Sequence, residues 1–399
     1  MDFATLAVIG LIAILGPLLA TPRGWHLPVV LGELVAGIAL GRTGFRQLHP
    51  QNETFTFLAD VGFALVMFVA GSHVPVRNPA LRPALRIGVL RAIGIGAVAA
   101  VLGIAVSHLF GTGHVALYGV LMASSSAALI VPIIDSVGLG GPAVLALLPQ
   151  IAIADAACIV ALPLAIDPKH AGRAGLGALA VIASATVLFF ILRELENRGL
   201  RKRLHKLSED REFALELRID LLILFALAAL AVKTHVSIML AGFSFGLAVA
   251  AIGEPRRLAK QLFALTEGFL GPLFFVWLGA SLDLRQLGSH PKMIGLGAVL
   301  GVGAVVAHAL MKVTKQPLPL GILAAAQLGV PVAAATLGTQ LNLLKPGESS
   351  ALIMGALVSI ALASVAGGLA VRAGLVAPKD DAPAATPPTA PPAPEATPA

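Results

Sequence analysis

Charge is scarce in this chain, and cysteine is nearly absent. Only 12% of its 399 residues are Asp, Glu, Lys or Arg, against about 25% in a soluble domain, while 57% are hydrophobic. With a mean hydropathy of +0.90, the composition excludes an ordinary soluble enzyme and points to a chain built for a bilayer. The single cysteine, Cys158, excludes an intrachain disulfide and any cysteine metal cluster. The N-terminus has neither a basic n-region nor a small-residue cleavage site, so its first apolar stretch is expected to be a retained helix. The net charge of +7 comes from basic residues in short loops, where they act as topology signals rather than as a nucleic-acid surface. No nucleic-acid partner, cofactor or enzymatic activity is expected.

What is present is apolar sequence in span-length pieces. Thirteen hydrophobic spans are predicted, at about 3–20, 27–41, 55–71, 86–110, 115–137, 143–166, 175–192, 218–232, 236–252, 262–281, 292–312, 318–341 and 349–371. With the N-terminus outside, inner segments carry nineteen Arg and Lys and outer segments eight. The positive-inside rule therefore places the N-terminus outside and the C-terminus in the cytoplasm of a multi-pass cell-membrane protein. The mixed-charge segment Arg193–Arg218 reads as a cytoplasmic connecting helix, with a lipid-binding switch as the alternative. Residues 377–399 are rich in Ala, Pro and Thr and read as a disordered cytoplasmic tail.

The two halves repeat. Residues 28–40 parallel 237–249, residues 71–77 parallel 279–285, and Val131-Pro132-Ile133 parallels Val330-Pro331-Val332, at offsets of 209, 208 and 199. An odd linker span between the halves makes the repeat inverted, an arrangement typical of secondary transporters. Two spans carry breakers at equivalent places, Ala123-Ser-Ser-Ser-Ala127 with Pro132, and Gln327-Leu-Gly-Val-Pro331. Each proline frees the carbonyl four residues back, here those of Ala128 and Gln327. Open backbone at membrane depth is tolerated where it is buried in protein or lines a cavity. The alternatives are simple proline kinks, or unwound helices whose oxygens replace water around a hard cation.

One carboxylate completes the pattern. Asp155 lies mid-span with no charged residue within ten positions on either side. A lone acid there is costly and marks an ion path or a buried polar contact. Such a group is neutralised by a proton or by a cation, not by both, and that competition is antiport. Asp155, Ser124, Ser125, Ser126 and Gln327 are therefore candidate ligands for a monovalent cation and for protons, with the choice among the serines open. His308, Gln150 and Glu33 are candidates for tuning the proton. Each also has a structural reading: a hydrogen-bonded core histidine, an amide satisfying helix backbone, and a polar group at an interface. Arg91 is read as snorkelling or pairing within the core, and Asp60, His73 and Asp220 as solvated groups near span ends.

Three stretches resemble the monovalent cation:proton antiporter-2 family: residues 27–44 (LPVVLGELVAGIALGRTG), 58–71 (LADVGFALVMFVAG) and 271–284 (GPLFFVWLGASLDL). The resemblance implies an all-α membrane fold of thirteen helices with two discontinuous crossing helices. It also implies a homodimer, with a dimerisation panel at about 1–71 and 218–281, a transport core at about 86–166 and 292–371 moving as an elevator, and a linker at 175–217. The chain departs from family patterns at Ala154-Asp155, where sodium-selective electrogenic relatives have two acids. It departs again at Val306-Ala307-His308, where many relatives have a lysine, and at the uncharged Leu328-Gly-Val-Pro-Val332. One titrating carboxylate predicts electroneutral exchange of one proton for one sodium or potassium ion. The competing class, a sodium-coupled organic-anion symporter of related architecture, would require a basic residue in the broken spans, and none stands there.

Overall fold

In a computed structural model the chain is all-helical, and the structure describes residues 2–20, 29–72, 82–200, 211, 213–234, 236–253, 256–282 and 284–376. Hydrocarbon offers the backbone no hydrogen-bond partners, so apolar segments satisfy themselves as helices. The first half contains α1 (Phe3–Ala13), α2 (Leu15–Ala20), α3 (Val29–Leu40), α4 (Glu53–Ser72), α5 (Arg82–Phe110), α6 (Val115–Ala123), α7 (Ala127–Ser136) and α8 (Pro142–Ile166). α9 (Ala171–Asn197) links the halves. The second half contains α10 (Leu215–Lys233), α11 (Ile238–Ile252), α12 (Arg256–Leu265), α13 (Gly271–Ser281), α14 (Leu284–Ser289), α15 (Pro291–Ala309), α16 (Leu318–Ala324), α17 (Gly329–Gln340) and α18 (Glu348–Arg372).

The described part of each predicted span is mostly helical, with open segments at 124–126 and 325–328. Among the described residues, eight helices are long and apolar enough to cross a membrane, and Phe3–Leu18, Val115–Val131 and Ile238–Ile252 are shorter apolar helices. The predicted tail at 377–399, the middle of the predicted cytoplasmic loop at 201–210, and His73 lie outside the described residues.

The inverted repeat appears as swapped helix pairs. α3 of the first half packs on α13 of the second, while α4 packs on α11. Both contacts are backbone-close. A Cβ added at Gly246 would stand 2.1 Å from the carbonyl oxygen of Phe68, and one at Gly41 would stand 2.2 Å from the Cα of Ala280. Phe63 stacks on Phe274 with ring centroids 4.7 Å apart, and Trp277 Nε1 donates to Pro50 O at 3.0 Å. A second group comprises α5, α6 and α8 with α15 to α18. There Arg91, 6% exposed, donates to Thr314 Oγ1 at 2.8 Å and to Thr314 O at 3.3 Å, so it pairs inside the bundle rather than snorkelling.

The expected break is present at Ser124–Ser126, and Pro132 lies beyond it, inside α7. Having no N–H, Pro132 leaves the carbonyl of Ala128 without its helical donor there. Two expectations are corrected. Asp220 is not solvated but 8% exposed, because the first turns of α10 pack against neighbouring helices. Asp60 is half-buried, well inside α4.

Candidate functional site

Two open segments meet inside the second helix group. Ser124–Ser126 separates α6 from α7, and Ala325–Leu328 separates α16 from α17. They are tied by backbone, with Ser126 N donating to Ala326 O at 2.8 Å. The meeting point therefore combines the carbonyl-rich ends of α6 and α16 with the amide-rich starts of α7 and α17. Pro331 sits in the first turn of α17, where a missing N–H costs little.

The serines separate into distinct roles. Ser124 Oγ lies 2.8 Å from Leu121 O and 2.7 Å from Gln327 Oε1. Its one hydrogen serves only one of these acceptors; with the Gln327 amide turned, NH2 donates to Ser124 Oγ and the hydroxyl donates to Leu121 O. Ser125 Oγ lies 2.7 Å from Ala324 O and 3.2 Å from His308 Nε2, and its one hydrogen serves one of them at a time. The opposite nitrogen, Nδ1, donates to Ala304 O at 2.9 Å, which leaves Nε2 as the acceptor in the neutral ring. Ser126 Oγ makes no hydrogen bond among the described residues, although Ser126 is only 4% exposed. Ser124 and Ser125 thus fasten the breaks together, and Ser126 keeps a hydroxyl to spare.

Asp155 comes to this junction from α8. It is 6% exposed, and its Oδ2 accepts from Ala127 N, the first residue of α7, at 3.1 Å. The carboxylate therefore faces a helix N-terminus, where the macrodipole and open N–H groups favour negative charge. Among the described residues no basic side chain pairs with it; the three ion pairs lie elsewhere. Oδ2 is engaged by the backbone, and Oδ1 remains for a proton or a cation. With Ser126 immediately before Ala127, the junction offers hard oxygens of the kind a small cation takes in place of water.

The structure thus brings Asp155, Ser124, Ser125, Ser126, Gln327 and His308 to one junction. His308, fully buried, lies beside Ser125 as the alternative acceptor for its hydroxyl hydrogen. Gln150 stands on α8, buried, and neither amide atom finds a hydrogen-bond partner among the described residues. Glu33 is not at this junction: 3% exposed on α3, it belongs to the other helix group, beside Gly16.

Sequence reasoning missed the backbone partners, namely Ala127 N and the carbonyls of Ala304, Ala324 and Ala326, because an alanine letter carries no polar signal. It also missed Glu348, which is fully buried at the start of α18 and accepts from Tyr118 Oη at 2.7 Å, from Lys345 N at 2.8 Å and from His114 Nδ1 at 2.6 Å. The available signal was Gly347 followed by an acid at a helix start.

The comparisons agree with this architecture. The family described as sodium/hydrogen exchanger, transmembrane, matches residues 10–373. The chain is 23% identical over 379 residues to YjbQ of Bacillus subtilis, provisionally named a Na(+)/H(+) antiporter, covering 89% of this chain and 61% of that protein. It is 26% identical over 321 residues to the Na(+)/H(+) antiporter NhaS5 of Synechocystis sp., covering 79% of this chain and 44% of that protein. The chain therefore spans about three fifths of the first relative's length and less than half of the second's. Two solved structures of the sodium proton antiporter MjNhaP1 from Methanocaldococcus jannaschii match with TM-scores of 0.63 and 0.67. Each is 16% identical, covers 94% of this chain and 98% of the matched chain, and shows the fold.

Proposed function

The chain belongs to the sodium/hydrogen exchanger family, and from that membership we propose that it exchanges a monovalent cation, sodium or potassium, for protons. The observation that carries the reading is the placement of Asp155. It is a lone buried carboxylate that accepts from Ala127 N at the start of α7, the residue that follows Ser126 with its unclaimed hydroxyl. A proton on Oδ1 and a cation shared by Asp155 and Ser126 exclude one another, so each crossing carries one or the other. Neutralisation in both cases lets the group move through a low-dielectric interior without a bare charge.

The remaining parts of the reading follow from the packing. The second helix group, about 86–166 and 292–371, is the transport core. The first group, about 1–71 and 218–281, is the panel along which it moves as an elevator, and it is also the homodimer surface. Backbone-tight glycine contacts make the panel rigid, and hydroxyl clasps lock the breaks to one another within the core. The sequence motifs at 27–44, 58–71 and 271–284 favour the antiporter-2 branch of the family. The charge asymmetry of the loops supports a cell-membrane protein with the N-terminus outside and the C-terminus cytoplasmic. Because Ala154 provides no second acid, one proton exchanges for one cation and transport is electroneutral.

The test is cation-dependent proton flux in proteoliposomes, with sodium, potassium and lithium supplied in turn. Flux with sodium or potassium supports the reading. Proton movement indifferent to all three ions would remove it.

A further inference from the structure

A groove of about 370 Å³ lies between the two helix groups, on the flank of the helix that carries Asp155. Ala156 and Val160 of α8 form one wall, Phe243, Leu247 and Ala251 of α11 form the other, and α9 lines the groove from Ile182 to Phe189. The walls are almost wholly apolar, and Thr186 on the rim bonds back to Ile182 O at 2.8 Å, which spends its hydroxyl. Val160 is 36% exposed, so the groove opens to the surroundings of the bundle rather than to its core. For a chain of this composition, those surroundings are lipid.

Length and charge narrow the occupant. The α11 wall runs from Leu240 to Ala251, a helical rise of about 1.5 Å per step, or ~16 Å. That is about half of a ~30 Å hydrocarbon core, the depth of one leaflet. α9 and α11 run parallel: a Cβ at Gly177 would meet Val236, which in register sets Phe189 beside Ala248 and Arg193 beside Ile252. Arg193 therefore stands where the groove reaches the membrane surface, its guanidinium carbon 6.0 Å from the centroid of the Phe189 ring. Among the described residues it has no ion pair, and the adjacent Glu194 is engaged by Arg198 at 2.7 Å.

We propose that this groove binds an anionic phospholipid, with one acyl chain along α8, α9 and α11 and its phosphate on Arg193. An apolar slot one leaflet deep takes a hydrocarbon chain, and a guanidinium at its mouth takes a phosphate. Because the slot lies in the seam between α8 and α11, the bound chain sits where core and panel must slide. That consequence rests on the elevator reading above; the binding itself does not.

The test reads binding directly. The full-length protein is purified in detergent and given phosphatidylglycerol or phosphatidylcholine, retained lipid is measured by native mass spectrometry, and a photoactivatable acyl phosphatidylglycerol maps the site. The wild type should prefer phosphatidylglycerol, and label should fall on peptides covering 156–160, 186–190 or 243–251. Arg193→Gln should weaken phosphatidylglycerol retention about fivefold, the effect of one basic residue at an anionic surface, and leave phosphatidylcholine unchanged. Ala251→Trp, which fills the mouth, should move the label away. Equal retention of both lipids by the wild type overturns the proposal. So does label confined to other peptides, or a groove protected because a second copy of the chain covers it. None of these readouts requires exchange activity.

Discussion

Asp155 and Ala127 are 28 positions apart in sequence, yet Oδ2 of the first accepts from the backbone N–H of the second at 3.1 Å. The contact fixes the carboxylate at the start of α7, with one oxygen held and the other available. An N–H at a helix start is one of the few donors in such an interior that is not already used by the helix. This geometry makes several outcomes measurable.

Asp155→Asn keeps an acceptor for Ala127 N and nearly the same volume, so the fold should persist. It removes the charge that a cation or proton must neutralise. Proton flux driven by a sodium or potassium gradient should fall to the level of protein-free vesicles. Wild-type flux in the variant would remove the central claim.

Transport should not respond to voltage. Moving one net charge across 100 mV is worth about 2.3 kcal/mol, so a second coupled proton would shift the balance point strongly. With ion gradients fixed in proteoliposomes, an imposed potential should leave the reversal condition unmoved. A shift that scales with voltage would show that a second titrating group joins Asp155.

The three serines should part company on substitution. Removing an oxygen that meets a charge costs about 1.5–3 kcal/mol, so Ser126→Ala should raise the apparent KM for the cation roughly tenfold or more. Ser124→Ala and Ser125→Ala remove clasps between the breaks, and their first effect should be on thermal stability. If cation affinity is lost through Ser124 or Ser125 while Ser126→Ala stays normal, the assignment is reversed.

Glu348 is satisfied by three donors while fully buried. Glu348→Ala leaves those donors unmet in a dry setting and should destabilise the protein by about 3–5 kcal/mol, the range for breaking a buried pair. Glu348→Gln keeps part of the acceptor set and should melt between that variant and the wild type. Thermal unfolding in detergent distinguishes the two, and identical melting of all three proteins would count against the contact.

Gly246→Val places a branched side chain against Phe68 O, where even a Cβ would stand only 2.1 Å away. The α4–α11 contact must open, at a cost of about 1–3 kcal/mol. The same change at Gly96, which has open space, should leave the melting temperature close to that of the wild type. Equal melting of the two variants would argue against backbone-tight packing.

Much of this protein was legible as sequence because lipid imposes one rule on every segment inside it. Apolar runs had to be helices, so thirteen spans could be marked before any contact was known. Ser124–Ser126 and Gln327 were visible as interruptions because polar and proline residues inside such runs are conspicuous. Asp155 stood out for the same reason: an isolated acid at membrane depth calls for a partner or a task. The inverted repeat could be followed from similar offsets in the two halves.

Only the tertiary structure decided which groups meet. That Ser126 rather than Ser124 or Ser125 keeps a free hydroxyl depends on acceptors from Leu121, Ala324, Gln327 and His308, all but the first contributed by the other half of the chain. The first break, at the serines, is held by the opposing open segment, which supplies Ala326 O to Ser126 N. Glu33 and Gln150 stood in sequence as candidates for tuning the proton, each with a structural reading beside it. Packing put Glu33 in the other helix group and left Gln150 buried without a bonding partner among the described residues. Burial cost is a property of a residue and its immediate neighbours, so sequence reveals it. Hydrogen-bond partnership across 28, 183 or 203 positions is a property of the closed fold, and only the fold assigns it.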